Sequence, residues 1–254
     1  MHQPRTYRHW VRDDDLVSFR VTVQETDLYI RATRNLEAEA SQAVLECRSS
    51  LEGYIREHPD FLTSLGPIAV ARDAPDVVSD MARAAYAAGV GPMAAVAGAV
   101  AEHVGNRLVG LSSEVVVENG GDIFIASTKT RLVGVYAGDS SFTGKIALRV
   151  QAEETPMGIC TSSGTVGHSL SFGTADAVIA VSRCTSLADA AATAICNTVK
   201  CEEDVPRSIE LATKIDGLRG IVVIKGDKLG VWGEIEIASV GAEEAATVES
   251  PRLG

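Results

Sequence analysis

The chain has no surplus of positive charge, no apolar run of membrane length and no closely spaced cysteine pair. Its 23 Lys and Arg face 34 Asp and Glu, a formal charge of -11. A nucleic-acid surface needs clustered Lys and Arg, so that class is excluded, and an anionic membrane face is disfavoured for the same reason. An anionic small ligand would need backbone donors or a metal in place of a basic field. The most apolar stretch, Pro92 to Ala101, has half the length of a membrane span and ends at Glu102-His103. No apolar segment follows Arg5, Arg8 and Arg12, so no secretory signal and a cytoplasmic location are expected. Cys47, Cys160, Cys184, Cys196 and Cys201 are odd in number. Cys184 and Cys196 bracket a predicted helix about 18 Å long, too far apart to share a metal. The five read as small buried hydrophobes in a reducing compartment. A nucleophile elbow, a Walker loop, zinc-ligand spacing and a dinucleotide fingerprint are all missing.

What remains is a chain of 254 residues, 46% hydrophobic and 22% charged, able to bury a substantial core. Alternation predicts strands at Val17–Val23 and Leu28–Ile30, and helical spacing runs from Leu36 to Ile55, between Asn35 and Pro59. Further helices are expected over Pro75–Ala88 and Met93–Val104, the second made almost wholly of Ala, Val and Gly. Strands follow at Val115–Val117, Ile123–Ala126, Leu132–Tyr136, Lys145–Val150, Met157–Cys160 and Ala177–Val181. Helices at Leu187–Val199 and Arg207–Ile215 precede a final hairpin, Gly220–Ile224 and Leu229–Trp232, around Gly226-Asp227. Strands and helices come in runs, which predicts an α+β fold, one domain over residues 1–238 with 239–254 a frayed tail.

Three segments could carry chemistry. Asn119-Gly120-Gly121-Asp122 is either a tight hairpin turn or a place where backbone approaches a ligand. Thr161-Ser162-Ser163-Gly164 gathers hydroxyls suited to phosphate, and His168 follows as a candidate general base or a structural histidine. Asp189 and Thr193, four residues apart, share a helix face. They suit Mg²⁺ as hard oxygen donors, yet Ser186 to Asp189 equally fits a capping box.

The order of these segments resembles the ApbE superfamily, most specifically in Asn119-Gly120-Gly121-Asp122 and in Asp189 to Thr193. Gly91 to Ala99 and Thr161 to Ser171 are similar to an uncharacterised ApbE-like branch. The resemblance implies a duplicated T-fold-like architecture of antiparallel sheets backed by helices. It also implies a Mg²⁺-dependent flavin transferase, which splits FAD and attaches FMN to a threonine hydroxyl of an acceptor protein. On this reading Asp189 and Thr193 hold Mg²⁺. Asn119, Gly120, Gly121 and Asp122 line the FAD or FMN cleft, Thr161, Ser162, Ser163 and Gly164 the phosphate region, and His168 is catalytic. The implied partners are a flavin or adenine nucleotide and an acceptor protein, with homo-oligomerisation left open. The chain departs from the transferases in two places: Ala97-Gly98 stands where they carry Lys-Gly, and Ser169 to Thr174 where they carry Asp-Pro-x-Thr-Gly. Losing a cation and an acid beside a pyrophosphate weakens its binding and leaving-group stabilisation.

Overall fold

A computed structural model describes residues 15–165 and 171–240. His168 and almost all of the predicted tail lie outside the described residues. Eight strands form one antiparallel sheet in the order β1 (Val17–Val23), β2 (Thr26–Ala32), β3 (Val115–Asn119), β4 (Asp122–Ala126), β7 (Met157–Ser162), β8 (Ala177–Ser182), β9 (Leu218–Lys225) and β10 (Lys228–Gly233). Between β2 and β3 run α1 (Glu37–Glu57), the single turn α2 (Asp60–Thr63), α3 (Asp76–Ala88) and α4 (Val96–Val109). Between β8 and β9 run α5 (Thr185–Cys196) and α6 (Val205–Ala212). Each half of the sheet is therefore a hairpin, a set of helices and a second hairpin. This is the duplicated α+β plan that the resemblance implied.

The helices cover one face of the sheet. The other carries a smaller antiparallel sheet, ordered β11 (Glu236–Ser239), β6 (Ile146–Val150) and β5 (Arg131–Gly134). Strand alternation sends Val178 and Ala180 of β8 into the helix-side core, while Ala177, Ile179 and Val181 enter the core between the sheets. This two-sided burial is why β8 and β9 read as unbroken apolar runs rather than alternating ones. Each such Val or Ile contributes about 1.5–3 kcal/mol.

Three local expectations change. The Ala-rich helix opens as a 3₁₀ turn, Pro92–Ala95, and continues past Val104 to Val109, because Val104 and Leu108 share its buried face. Strand β11 ends on Ser239, which the polar composition assigned to the tail; pairing with the Ile146 backbone supplies the order that its side chain does not. Of the cysteines, Cys47, Cys160 and Cys196 are buried, but Cys184 is half-buried and Cys201 exposed. Among the described residues no single helix is long and apolar enough to cross a membrane.

One charged cluster ties the small sheet to the large one. Buried Glu114 accepts hydrogen bonds from Ser127, Thr128 and Arg131, and Arg131 also pairs with Asp15 at 2.7 Å. Burial pushes the Glu114 carboxyl up, but those hydrogen bonds outweigh it and hold it at about 2. A depressed pKa stabilises the fold above the unfolded value of 4.5 and is lost as pH falls through about 2. Glu114→Gln is expected to cost about 2 kcal/mol at pH 7 and much less at pH 2.5. Urea titrations at the two pH values check this, and equal losses at both would exclude the ionic explanation.

Candidate functional site

The segments singled out from the sequence meet at one end of the large sheet, on or beside its helical face. Asn119 pairs with Asp122 across a two-residue turn, with Gly120 and Gly121 at φ 68° and 109°. Positive φ at both central positions is the geometry that Gly-Gly supplies without steric cost. The hairpin reading is thus correct, and the turn does more. The Asn119 carboxamide donates to the Ala97 carbonyl at 3.0 Å, and the Gly121 N–H donates to Glu118 at 2.9 Å. A side chain at Gly120 would meet open space, whereas Gly121 faces the Thr161 carbonyl.

Helices α4 and α5 cap one another. The Gly98 N–H, in the first turn of α4, donates to Asp189 Oδ2 at 2.8 Å. In return Glu102 of α4 accepts from the Ser186 N–H at 3.1 Å and the Ser186 hydroxyl at 3.0 Å, at the start of α5. The exchange works because Gly98 and Glu102 are one turn apart on α4, and Ser186 and Asp189 one turn apart on α5. The capping-box alternative for Asp189 is therefore overturned: its carboxyl leaves its own helix and serves the neighbouring one. A carboxylate at a helix N-terminus is also favoured by the exposed N–H groups and the dipole. Gly98 is what permits the contact, since a Cβ there would lie 2.5 Å from the Thr185 carbonyl oxygen.

Thr193 follows Asp189 by one turn and is half-buried. Asn197, another turn on, accepts from the Phe172 N–H at 2.7 Å and so ties the far side of the hydroxyl loop to the same helix. The near side of that loop leaves the end of β7. Ser162 turns with Cys160 toward the helices and is buried, with the Cys196 thiol of α5 beside its hydroxyl. Alternation sends Thr161 to the opposite face, so it does not share the helix-side space with Asp189. Ser163 pairs with Thr165 at 3.2 Å, and the Gly164 N–H donates to Ala175.

Asp122 and Asp189 form a buried pair. Burial pushes Asp189 up to about 7, against the pull of the Gly98 and Ala97 N–H groups. Burial also drives Asp122 well above the usual carboxylate range, and the charges of Asp189 and Glu118 push it further; the Cys160 thiol and the Thr161 N–H pull it back. Desolvation, reinforced by like charge, therefore keeps a proton between the two carboxyls near neutrality. Cys160, pushed up by burial and by both carboxyls, stays a thiol.

The structure thus brings together Asn119, Gly121, Asp122 and Asp189, places Thr193 one turn from Asp189, and sets Ser162 against Cys196 farther along α5. Glu102 and Asn197 were missed from the sequence. Glu102 left one signal, an acid ending an otherwise apolar helix run; Asn197 left none, because its partner Phe172 is distant in sequence.

Comparison with known proteins sets this site in a family. The family model described as "AbpE bacteria" matches residues 8–221. A UPF0280 protein of Methanocaldococcus jannaschii is 42% identical over 85% of this chain and 90% of its own length. A second, from Methanopyrus kandleri, is 42% identical over 86% and 91%. Among solved structures, the flavinyl transferase ApbE of Pseudomonas stutzeri superposes with TM-score 0.54 at 12% identity, covering 86% of this chain and 94% of that one. The flavin transferase ApbE of Vibrio cholerae gives 0.54 at 12%, covering 86% and 96%. At such identity the likeness speaks for the fold, and the fold is the ApbE one. The family match spans most of the sequence, and the relatives are matched nearly end to end, so the chain belongs to the AbpE bacteria family, in an ApbE-like branch with the UPF0280 proteins.

Proposed function

We propose that this ApbE-like protein binds a flavin or adenine nucleotide together with Mg²⁺ where the β3–β4 turn, the end of β7 and helices α4 and α5 converge. Its proposed chemistry is cleavage of the FAD pyrophosphate or transfer of FMN to an acceptor hydroxyl; two proteins that share its fold carry the name flavin or flavinyl transferase. The observation that carries this reading is Asp189. It is a buried carboxyl, held in place by a helix N-terminus, with Thr193 one turn away and a second buried carboxyl opposed to it.

The donor set fits the metal, since carboxylate and hydroxyl oxygens are the hard ligands Mg²⁺ prefers, with water and substrate phosphate completing its shell. Asp189 and Thr193 would hold it, and the bound ion would neutralise charge on the pyrophosphate oxygens. The chain's own groups do the rest. Gly120, with open space at its Cβ position, lets a planar ligand approach the turn. The Gly98 N–H fixes the Asp189 rotamer, and the Ser162 and Ser163 hydroxyls are the proposed donors to phosphate. His168 is the proposed acceptor of the proton from an attacking hydroxyl or water.

A second reading is a nucleotide-binding module without catalysis. It is favoured by Ala97, which stands where the transferases carry a lysine and can offer no cation to a leaving group. One assay separates the two. Protein incubated with FAD and Mg²⁺ is expected to release AMP, with an FMN-sized mass gained by an acceptor or free FMN formed. Saturable FAD binding without AMP would select the second reading.

Thr193→Val tests the metal arm. Its hydroxyl lies beyond the first turn of α5, where a cap has no use for it, so stability should change little. Mg²⁺-dependent nucleotide binding is expected to weaken at least tenfold, about 1.4 kcal/mol. A titration curve superimposable on that of the wild type would remove Thr193 from the metal site.

A further inference from the structure

The turn Asn119-Gly120-Gly121-Asp122 ends in a residue whose role the proposed nucleotide cleft does not explain. Asp122 is as deeply buried as Asp189, 7% exposed against 8%. It begins β4 opposite Cys160 of β7, on the helical face, and its Oδ1 has no hydrogen-bond partner among the described residues. A buried carboxylate oxygen without a donor is costly, so its persistence calls for a compensating group. Asp122 also lies close enough to Asp189 for the two charges to act on each other. The path between them is short and closed: Asp122 pairs with Asn119, Asn119 holds the Ala97 carbonyl, and the next N–H, Gly98, holds Asp189.

We propose that Asp122 is a further carboxylate ligand of the divalent cation, binding it through Oδ1 directly or through one metal-bound water, across from Asp189 and Thr193. The inference rests on the metal reading of Asp189 and adds to it a ligand from the other half of the duplicated sheet. The ion would then bridge β4 of the first unit and α5 of the second. Two carboxylates and a hydroxyl leave room in an octahedral shell for water and one or two phosphate oxygens. The arrangement also gives the unpartnered oxygen its counter-group and relieves the repulsion between the two acids.

The test uses Mn²⁺, which shares the oxygen-ligand preference and is visible by electron paramagnetic resonance. Free and bound Mn²⁺ are measured in the full chain without nucleotide, for the wild type, Asp122→Asn, Asp122→Ser and Asp189→Ala, with circular dichroism confirming each fold. Asp122→Asn and Asp122→Ser are each expected to weaken Mn²⁺ at least tenfold, while raising the melting temperature of the metal-free protein by removing a buried acid. A merely structural Asp122 would lower that temperature and leave Mn²⁺ affinity unchanged, which overturns the proposal. The underlying reading fails separately, if Asp189→Ala binds Mn²⁺ as the wild type does. Should the Asp122 variants weaken Mn²⁺ while Asp189→Ala does not, the Asp122 ligand stands and the Asp189 assignment falls.

Discussion

Gly98→Leu is expected to cost about 4 kcal/mol or more and to leave little folded protein at 37 °C. The first added carbon alone would sit 2.5 Å from the Thr185 carbonyl oxygen and 2.8 Å from the Asp189 Cβ, with three further carbons to place. Backbone cannot yield as a side-chain tip can, so α4 and α5 must move apart. That separation breaks the Gly98–Asp189 and Glu102–Ser186 bonds together, exposing the first turns of both helices. Gly98→Ala should show the same effect at smaller size. Guanidinium titrations of the three proteins measure it, and a loss for Gly98→Leu within the error of the midpoint would mean that the helices are not in this contact.

Asp189→Asn should stabilise the metal-free protein at pH 8 by about 4 kcal/mol relative to its effect at pH 4. The folded pKa of Asp189 is raised, to about 7 from 3.8, so between those values the folded state holds a proton that the unfolded state has released. Stability from this group is therefore complete below pH 3.8 and declines as pH rises through 7, opposite in sign to Glu114. Asparagine keeps an acceptor for the Gly98 N–H but cannot ionise, so its pH profile should flatten. Denaturation in a chelator at both pH values reads the difference directly, and parallel profiles for the two proteins would show that Asp189 ionises as freely folded as unfolded. Ionising Asp189 thus costs the fold stability, which a cation bound beside it would offset, the trade expected of a binding site.

Much of this architecture was legible in the sequence. Apolar patterns located every long helix and all but one of the strands: period 3.6 and period two where burial is on one face, and unbroken runs in β8 and β9, which are buried on both. Gly120-Gly121 announced its turn, since the conformation has a residue requirement. Strand β11 and the single turn α2 escaped: one is a short edge of mixed polarity and the other only four residues long. Composition and spacing also settled which residues deserved suspicion, Asn119, Asp122, Ser162, Asp189 and Thr193 among them.

Their meaning was decided elsewhere. Ser186 to Asp189 satisfies a capping pattern as well as any sequence can, and no local property reveals that a helix ninety residues earlier offers Asp189 a better donor at Gly98. Glu102 and Asn197 act only through partners distant in the chain. Asp122 reads from sequence as a turn residue in water, and becomes a buried acid because β7, α4 and α5 close over it. Sequence fixes what each residue can donate, accept or ionise. Which of those capacities is left unmet, and therefore available to a ligand, depends on burial and on neighbours that only the packed sheet and helices bring together.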